Sequence, residues 1–145
     1  YAYNRIVIIV RGDNEDIQSF EDLEGKTTAN TLQSTYATMA EQYGATVTAV
    51  DDLNQTIQLL LSDRIDATLN SDVTANDYMT AQPDADIKIA AVSEDATQVA
   101  IPMGKGDESA TLPAAIDEAL NELSEEGVLT ELSEKYFGID ISQAE

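Results

Sequence analysis

The chain has 145 residues and a formal charge of −21, from 7 basic and 28 acidic side chains, with no Cys and no His. That length suits one domain with a real core, and a 43% hydrophobic share with mixed Val/Ile and Ala/Leu/Glu runs suits a soluble α/β protein. No apolar run approaches the ~20 residues of a membrane-spanning helix, and so negative a field repels phosphate backbones and anionic lipid alike. Nucleic acid is therefore not an expected partner. The missing Cys and His exclude disulfides, thiol chemistry, most zinc sites and every imidazole-base mechanism.

The charge is uneven: residues 1–72 carry 4 basic and 12 acidic groups, and residues 73–145 carry 3 and 16. Its plainest role is to keep the protein soluble. Calcium is the sharper alternative, but no D-x-[DN]-x-[DN]-G loop occurs, so neither metal nor cofactor is expected. The opening Tyr1-Ala2-Tyr3-Asn4 has no signal-peptide pattern and stands just ahead of a buried strand. It reads as the inside of a longer protein.

In chain order, Arg5 to Val10 ("RIVIIV") is a β-branched run expected to be covered on both faces. The turn "RGDNED" follows, then a short helical segment around Ser19 to Leu23, stopped at Gly25. Thr27 to Leu32 reads as a strand, and Ser34 starts a helix with Tyr36, Met39, Ala40 and Tyr43 on its apolar face, closed by Gly44. Thr46 to Val50 is a strand, and Asp52 caps a helix bearing Leu53, Ile57, Leu60 and Leu61. Ala67 to Asn70 is a strand, followed by a helix from about Asp72 to Ala81 that ends before Pro83. Two strands are expected next, Ile87 to Val92 and Gln98 to Met103. This alternation calls for a mostly parallel sheet flanked by helices. After "GKGDES", Leu112, Ile116, Ala119, Leu120 and Leu123 mark a helix ending at Gly127, and Val128, Leu129, Leu132, Tyr136 and Phe137 mark another ending at Gly138.

Ligands of open α/β sheets sit beyond the carboxyl ends of the strands, near helix N-termini. Two junctions there are polar. Gln33-Ser34-Thr35 offers unpaired amides, the positive end of a helix dipole and two hydroxyls, which suit a carboxylate. Asn70-Ser71-Asp72 offers acceptors for an ammonium group. Each alone is as well explained as a helix cap. Together they match the two ends of a free amino acid. The pair Asp51-Asp52 lacks the companions of a phospho-acceptor pocket, "GxGxxG" and "GxxxxGK[ST]" are absent, and Gly104-Lys105-Gly106 lacks phosphate-loop spacing. Asp66, the best-placed carboxylate for acid catalysis, is expected instead to order the turn before its strand.

The stretches "SFEDLEGKTTANTLQSTYATMAEQYGA", "VDDLNQTIQLLLSDRIDATLN", "DYMTAQPDADIKIAA", "QVAIPMGKGD" and "EALNELSEEGVLTELSEKYFGID" resemble the solute-binding proteins of polar amino-acid ABC transporters (family 3). "F-x-D-L-x-G-K" and "L-x-E-x-G-x-L-x-x-L-x-x-K-Y-F-G" carry the family likeness, while "L-Q-S-T-Y" and "DATLN" point to the cystine-binding branch. The resemblance implies a periplasmic-binding-protein-like type II fold: two α/β lobes that close on a ligand and deliver it to a membrane permease. This chain would be the second, Rossmann-like lobe, about residues 4–103, with hinge strands at about 4–10 and 98–103. Residues 107–145 would be a helical tail that normally packs on an absent first lobe, and here its apolar faces would bury on the second lobe or on a second copy of this chain.

By the same resemblance, Gln33, Ser34 and Thr35 hold the ligand's α-carboxylate and Tyr36 follows them. The acidic residue that grips the α-ammonium falls on Ser71, with Asp72 one place later, which leaves open which of the two binds. An arginine clamp on the carboxylate would lie in the absent lobe. No catalytic residue is implied, and the location would be extracytoplasmic, periplasmic or lipid-anchored. Two rival functions share the fold: a dehydratase-type enzyme and the effector-binding domain of a transcription regulator.

Overall fold

The computed structural model describes residues 1–104 and 111–143. The Lys105-Gly106 half of the expected glycine turn, and the start of the tail at 107, lie outside the described residues. The elements are β1 (Ala2–Arg11), a 3-10 turn (Glu21–Leu23), β2 (Thr27–Thr31), α1 (Thr35–Gln42), β3 (Thr46–Val50), α2 (Leu53–Leu61), β4 (Thr68–Ser71), α3 (Asp72–Ala81), β5 (Ile87–Val99), α4 (Thr111–Glu125) and α5 (Val128–Phe137).

Two compact units divide the chain, Arg5–Asp95 and Tyr1–Asn4 with Ala96–Glu145, so that β1 and β5 are the two places where the chain passes between them. In the Arg5–Asp95 unit, β2 and β3 pair in parallel, from Thr27↔Thr46 to Thr31↔Val50. A parallel bridge, Thr28↔Ala67, joins them to a second sheet of order β4-β1-β5. β1 runs antiparallel to β4, with Ile6 opposite Ser71 and Ile9 opposite Thr68.

Alternation along β1 sorts the core into two layers. Ile8 and Val10 pack with Ile17, Phe20, Leu23, Ala40 and Leu69, where Tyr36 and Met39 of α1 cover them. Val7 and Ile9 pack on the other face with Ala29, Ile57 and Leu60 of α2, Ile65 and Ala75 of α3. All four β1 residues are at most 1% exposed, the both-face burial that "RIVIIV" anticipates. The result is an α/β layer with α1 on one face and α2 and α3 on the other.

Two local expectations need correction, and the face of one helix is left uncovered. The strands expected at Ile87 to Val92 and Gln98 to Met103 form one strand, Ile87–Val99, and residues 100–103 are not extended into it. Side chains carry the strand across its polar middle: Ile6 N–H donates to Ser93 Oγ (3.0 Å), and Arg5 Nη1 donates to the carbonyls of Ser93 (2.9 Å) and Glu94 (2.6 Å). The segment around Ser19 to Leu23 is helical only as the Glu21–Leu23 turn. Asp22 Oδ2 bends the chain ahead of it by accepting from Gln18 N–H, Ser19 N–H and Ser19 Oγ at 2.9–3.0 Å. The apolar stripe of α4 is not buried: no α4 residue is, and Leu112 is 54% exposed.

In the other unit, α5 begins after Gly127 and ends at Gly138, both at positive φ (74° and 72°), as the glycine stops anticipate. Ser133 ties the end of the chain back onto α5, donating to Ile139 O and accepting from Ile141 N–H, both 2.7 Å. Tyr3 N–H then donates to Ile141 O at 2.8 Å.

Candidate functional site

At the C-terminal end of β2, the chain turns through Leu32, 73% exposed, and Gln33, whose φ of 60° is left-handed. A non-glycine residue there is disfavoured and signals a turn that the surroundings impose. It is stapled by Ser34 N–H donating to Thr31 O at 3.2 Å. Ser34 then caps α1 from an extended backbone (φ −75°, ψ 153°), its Oγ accepting from Ala37 N–H at 3.1 Å. Its carbonyl accepts from Thr38 N–H at 3.2 Å, the first bond of the helix.

This accounting leaves donors to spare. The amides of Thr35 and Tyr36 have no acceptor among the described residues, as the first turn of a helix requires. The Ser34 hydroxyl is used as an acceptor, so its proton remains available, and Thr35 is exposed. Tyr36 is half-buried against the Ile8/Phe20 core layer and fixes the helix beneath these groups. Two amides, two hydroxyls and a helix dipole therefore converge on solvent where the junction was expected to receive an acid. No Lys or Arg lies between Thr27 and Gly44.

The second junction leaves the same rim. Thr28↔Ala67 is a parallel bridge, and Asn30 Nδ2 donates to Leu69 O at 2.7 Å, so β2 and β4 run side by side in one direction. Ser71, 6% exposed, caps α3, with Oγ accepting from Thr74 N–H (3.2 Å) and donating to Thr74 Oγ1 (2.8 Å). Its proton and one of its two lone pairs are thus committed to Thr74, and the residue is buried. Asn70 Oδ1 accepts from Ser71 N–H at 2.8 Å. Asp72, half-buried, uses Oδ1 to accept from Val73 N–H at 2.8 Å, and Oδ2 has no partner among the described residues. Of the three, Asp72 alone keeps a charged acceptor with spare capacity.

Asp66 does order its turn: Oδ2 accepts from Thr27 N–H and Thr27 Oγ1, both at 2.7 Å. Among the described residues no group of His, Cys, Asp and Glu has metal-holding geometry, and no helix is long and apolar enough to cross a membrane. The features that sequence reasoning missed are the left-handed Gln33 and the inward-facing Asn30. The second had a signal, since an Asn beside Ala29 in a strand needs a buried partner.

The Arg5–Asp95 unit is thus a sheet with helices on both faces and a donor-rich helix start at its rim. Over residues 1–140 the chain matches the family described as "ABC transporter, phosphonate, periplasmic substrate-binding protein", and it belongs to that family. It is 32% identical over 143 residues to the L-cystine-binding protein TcyA of Bacillus subtilis, covering 99% of this chain and 53% of that protein. It is also 32% identical over 143 residues to a probable amino-acid ABC transporter-binding protein of Haemophilus influenzae, covering 99% and 55%. Its fold is similar to the L-cystine solute receptor of Neisseria gonorrhoeae in the unliganded open conformation, with a TM-score of 0.80 and 34% identity over 99% of this chain and 60% of that one. The chain spans about half the length of the relatives it matches.

Proposed function

We propose that this chain is the second lobe and C-terminal tail of the binding component of an ABC importer, one that captures an amino acid, with cystine the leading candidate. The observation that carries the reading is the junction from Gln33 to Tyr36, where unpaired amides and free hydroxyl protons meet at the C-terminal end of β2. The ligand's carboxylate sits on that junction, and its ammonium on Asp72 in preference to the buried, uncharged Ser71 hydroxyl, whose proton goes to Thr74. A first lobe closes over the ligand, and the closed form docks on the permease outside the cytoplasmic membrane, as a periplasmic or lipid-anchored protein. No chemistry on the ligand is part of this role.

The tail supports a missing neighbour. A groove of about 380 Å³ is lined by Tyr3, Val99, Ile101, Met103, Ile116 and Leu120, and Leu132, Tyr136 and Phe137 are 42–67% exposed. The first lobe covers this apolar surface in the complete protein, and in its absence a second copy of the chain does. A monomer on size-exclusion with light scattering would overturn the self-association.

The family description favours a second reading, a phosphonate ligand. A doubly charged phosphonate calls for cations, and neither junction supplies one: no Lys or Arg occurs from 27 to 44 or from 65 to 75. Thermal-shift and calorimetric titration of the two-lobed protein with the twenty amino acids, cystine and 2-aminoethylphosphonate tests both readings. Tight binding of cystine or another α-amino acid is expected. Binding of the phosphonate alone would overturn the proposal in favour of the second reading.

A further inference from the structure

β5 is fastened to β1 in two different ways. Past the end of β1, Gly12 N–H donates to Asp86 O at 2.9 Å, an ordinary backbone bond. Bonded positions of an antiparallel pair recur two residues apart, so that register brings Ile6 N–H opposite Val92. It goes instead to the Ser93 side chain, whose Oγ accepts at 3.0 Å. The same hydroxyl donates to Asp95 O at 2.8 Å, and Arg5 Nη1 donates to the carbonyls of Ser93 (2.9 Å) and Glu94 (2.6 Å). Three successive carbonyls of β5 are thus engaged by side chains. Further on, the Tyr1 ammonium donates to Val99 O at 3.4 Å. From Tyr1 to Gly12 the first strand takes eleven steps, while from Val99 back to Asp86 its partner takes thirteen. Surplus residues on one strand of a pair form a bulge, which bends that strand and interrupts the ladder.

The bulge sits where the chain leaves a compact unit. Arg5 and Asp95 are the first and last residues of the Arg5–Asp95 unit. A joint there needs a few residues that change backbone angles without opening a core. Ser93, Glu94 and Asp95 meet that need, for none of them belongs to either core layer, and Glu94 and Asp95 are exposed. Bonds made by a rotatable hydroxyl and a long guanidinium side chain follow such a change more readily than a backbone ladder does.

We propose that the Ser93–Asp95 bulge is the pivot of this chain, and that the Ser93 hydroxyl and the Arg5 guanidinium are the staple that limits its bending. The pivot therefore falls earlier in β5 than residues 98–103, and it does not depend on which ligand is bound. The chain has no Cys, so nitroxide labels attach only where cysteines are introduced. Gln58→Cys with Glu122→Cys labels exposed positions of α2 and α4, one in each unit; Gln58→Cys with Glu41→Cys keeps both labels in the Arg5–Asp95 unit. Pulsed electron paramagnetic resonance reads the distance distribution of each pair. Expected is a wider distribution for the first pair than for the second, widened further by Ser93→Ala and returned by Ser93→Thr, which keeps the hydroxyl. Hydrogen exchange at the Ile6 amide should quicken about tenfold in Ser93→Ala, with that at Ile8 unchanged. Equal widths for the two pairs, a first-pair width that Ser93→Ala leaves as it was, or an Ile6 amide that does not quicken overturns the proposal. The two pairs are compared with Ser93 in place, so a Ser93→Ala chain that fails to fold leaves the test standing.

Discussion

Ser34→Ala separates a helix cap from a ligand contact, because the hydroxyl is placed to do both jobs at once. As a cap it accepts from Ala37 N–H at 3.1 Å, and its loss costs about 1 kcal/mol of stability. As a ligand contact it donates to a carboxylate, and a hydrogen bond to a charged group contributes about 1.5–3 kcal/mol, or roughly 10- to 150-fold in affinity. Asp52→Ala is the matched control: Asp52 Oδ1 caps α2 by accepting from Gln55 N–H at 2.9 Å and is not among the proposed ligand contacts. In the two-lobed protein both variants should lower the melting temperature by similar amounts, and Ser34→Ala alone should weaken amino-acid binding in calorimetry. Ser34→Gly, which costs a cap only a few tenths of a kcal/mol, should weaken binding with little loss of stability. Equal and unchanged dissociation constants for the Ser34 and Asp52 variants would refute the assignment and leave Ser34 as a cap.

At the other junction, Asp72→Asn should weaken amino-acid binding at least about tenfold, since it removes the charge facing the ammonium. Ser71→Ala should lower the melting temperature through the lost cap yet leave affinity nearly unchanged; calorimetry on both variants checks the contrast. This chain alone should bind about 30- to 4,000-fold more weakly than the two-lobed protein, the cost of about 2–5 kcal/mol for the arginine contact that the family resemblance assigns to a first lobe, and titration of both forms measures it. Acid stability should report Asp22 and Asp140. The Gln18 amide and Ser19 hold the first carboxyl below its ordinary range, and Ser142 and then Thr130 hold the second. A depressed carboxyl pKa stabilises the fold fully above the unfolded value and is lost as pH falls through the folded value. Below pH about 4, then, Asp22→Asn and Asp140→Asn should lose less stability than the parent chain, read from melting curves at stepped pH.

The elements most legible in the sequence are those whose cause is local. Ser34 and Asp52 precede apolar periodicity and are the observed caps, each accepting from the amide three residues on. "RIVIIV" lacks any polar face and is buried on both. Asp72–Ala81 ends before Pro83, as the proline's effect on its predecessors requires. What stayed hidden depends on partners far along the chain. The polar run Ser93-Glu94-Asp95 reads as a break between strands, because nothing near it announces that Arg5 and Ile6, almost ninety residues earlier, hold it extended. The left-handed Gln33 is hidden for a different reason. Glycine would mark such a turn, and an amide side chain at φ 60° gives no such mark.

The same distinction decides which half of the candidate site could be assigned from residue types. The carboxylate end relies on backbone amides at a helix start, a capacity that follows from Ser34 capping α1 whatever side chains surround it. The ammonium end relies on one side-chain oxygen being left over, which only a full account of hydrogen bonds reveals. By resemblance the acidic position falls on Ser71, with Asp72 one place later, so the sequence leaves the choice between them open. The bonds favour Asp72: Thr74 takes the proton and one lone pair of the buried Ser71 hydroxyl, while a single amide engages Asp72 and leaves a carboxylate oxygen for a cation. The proposed zwitterion site needs charge at that end, and within Asn70-Ser71-Asp72 only Asp72 can carry it.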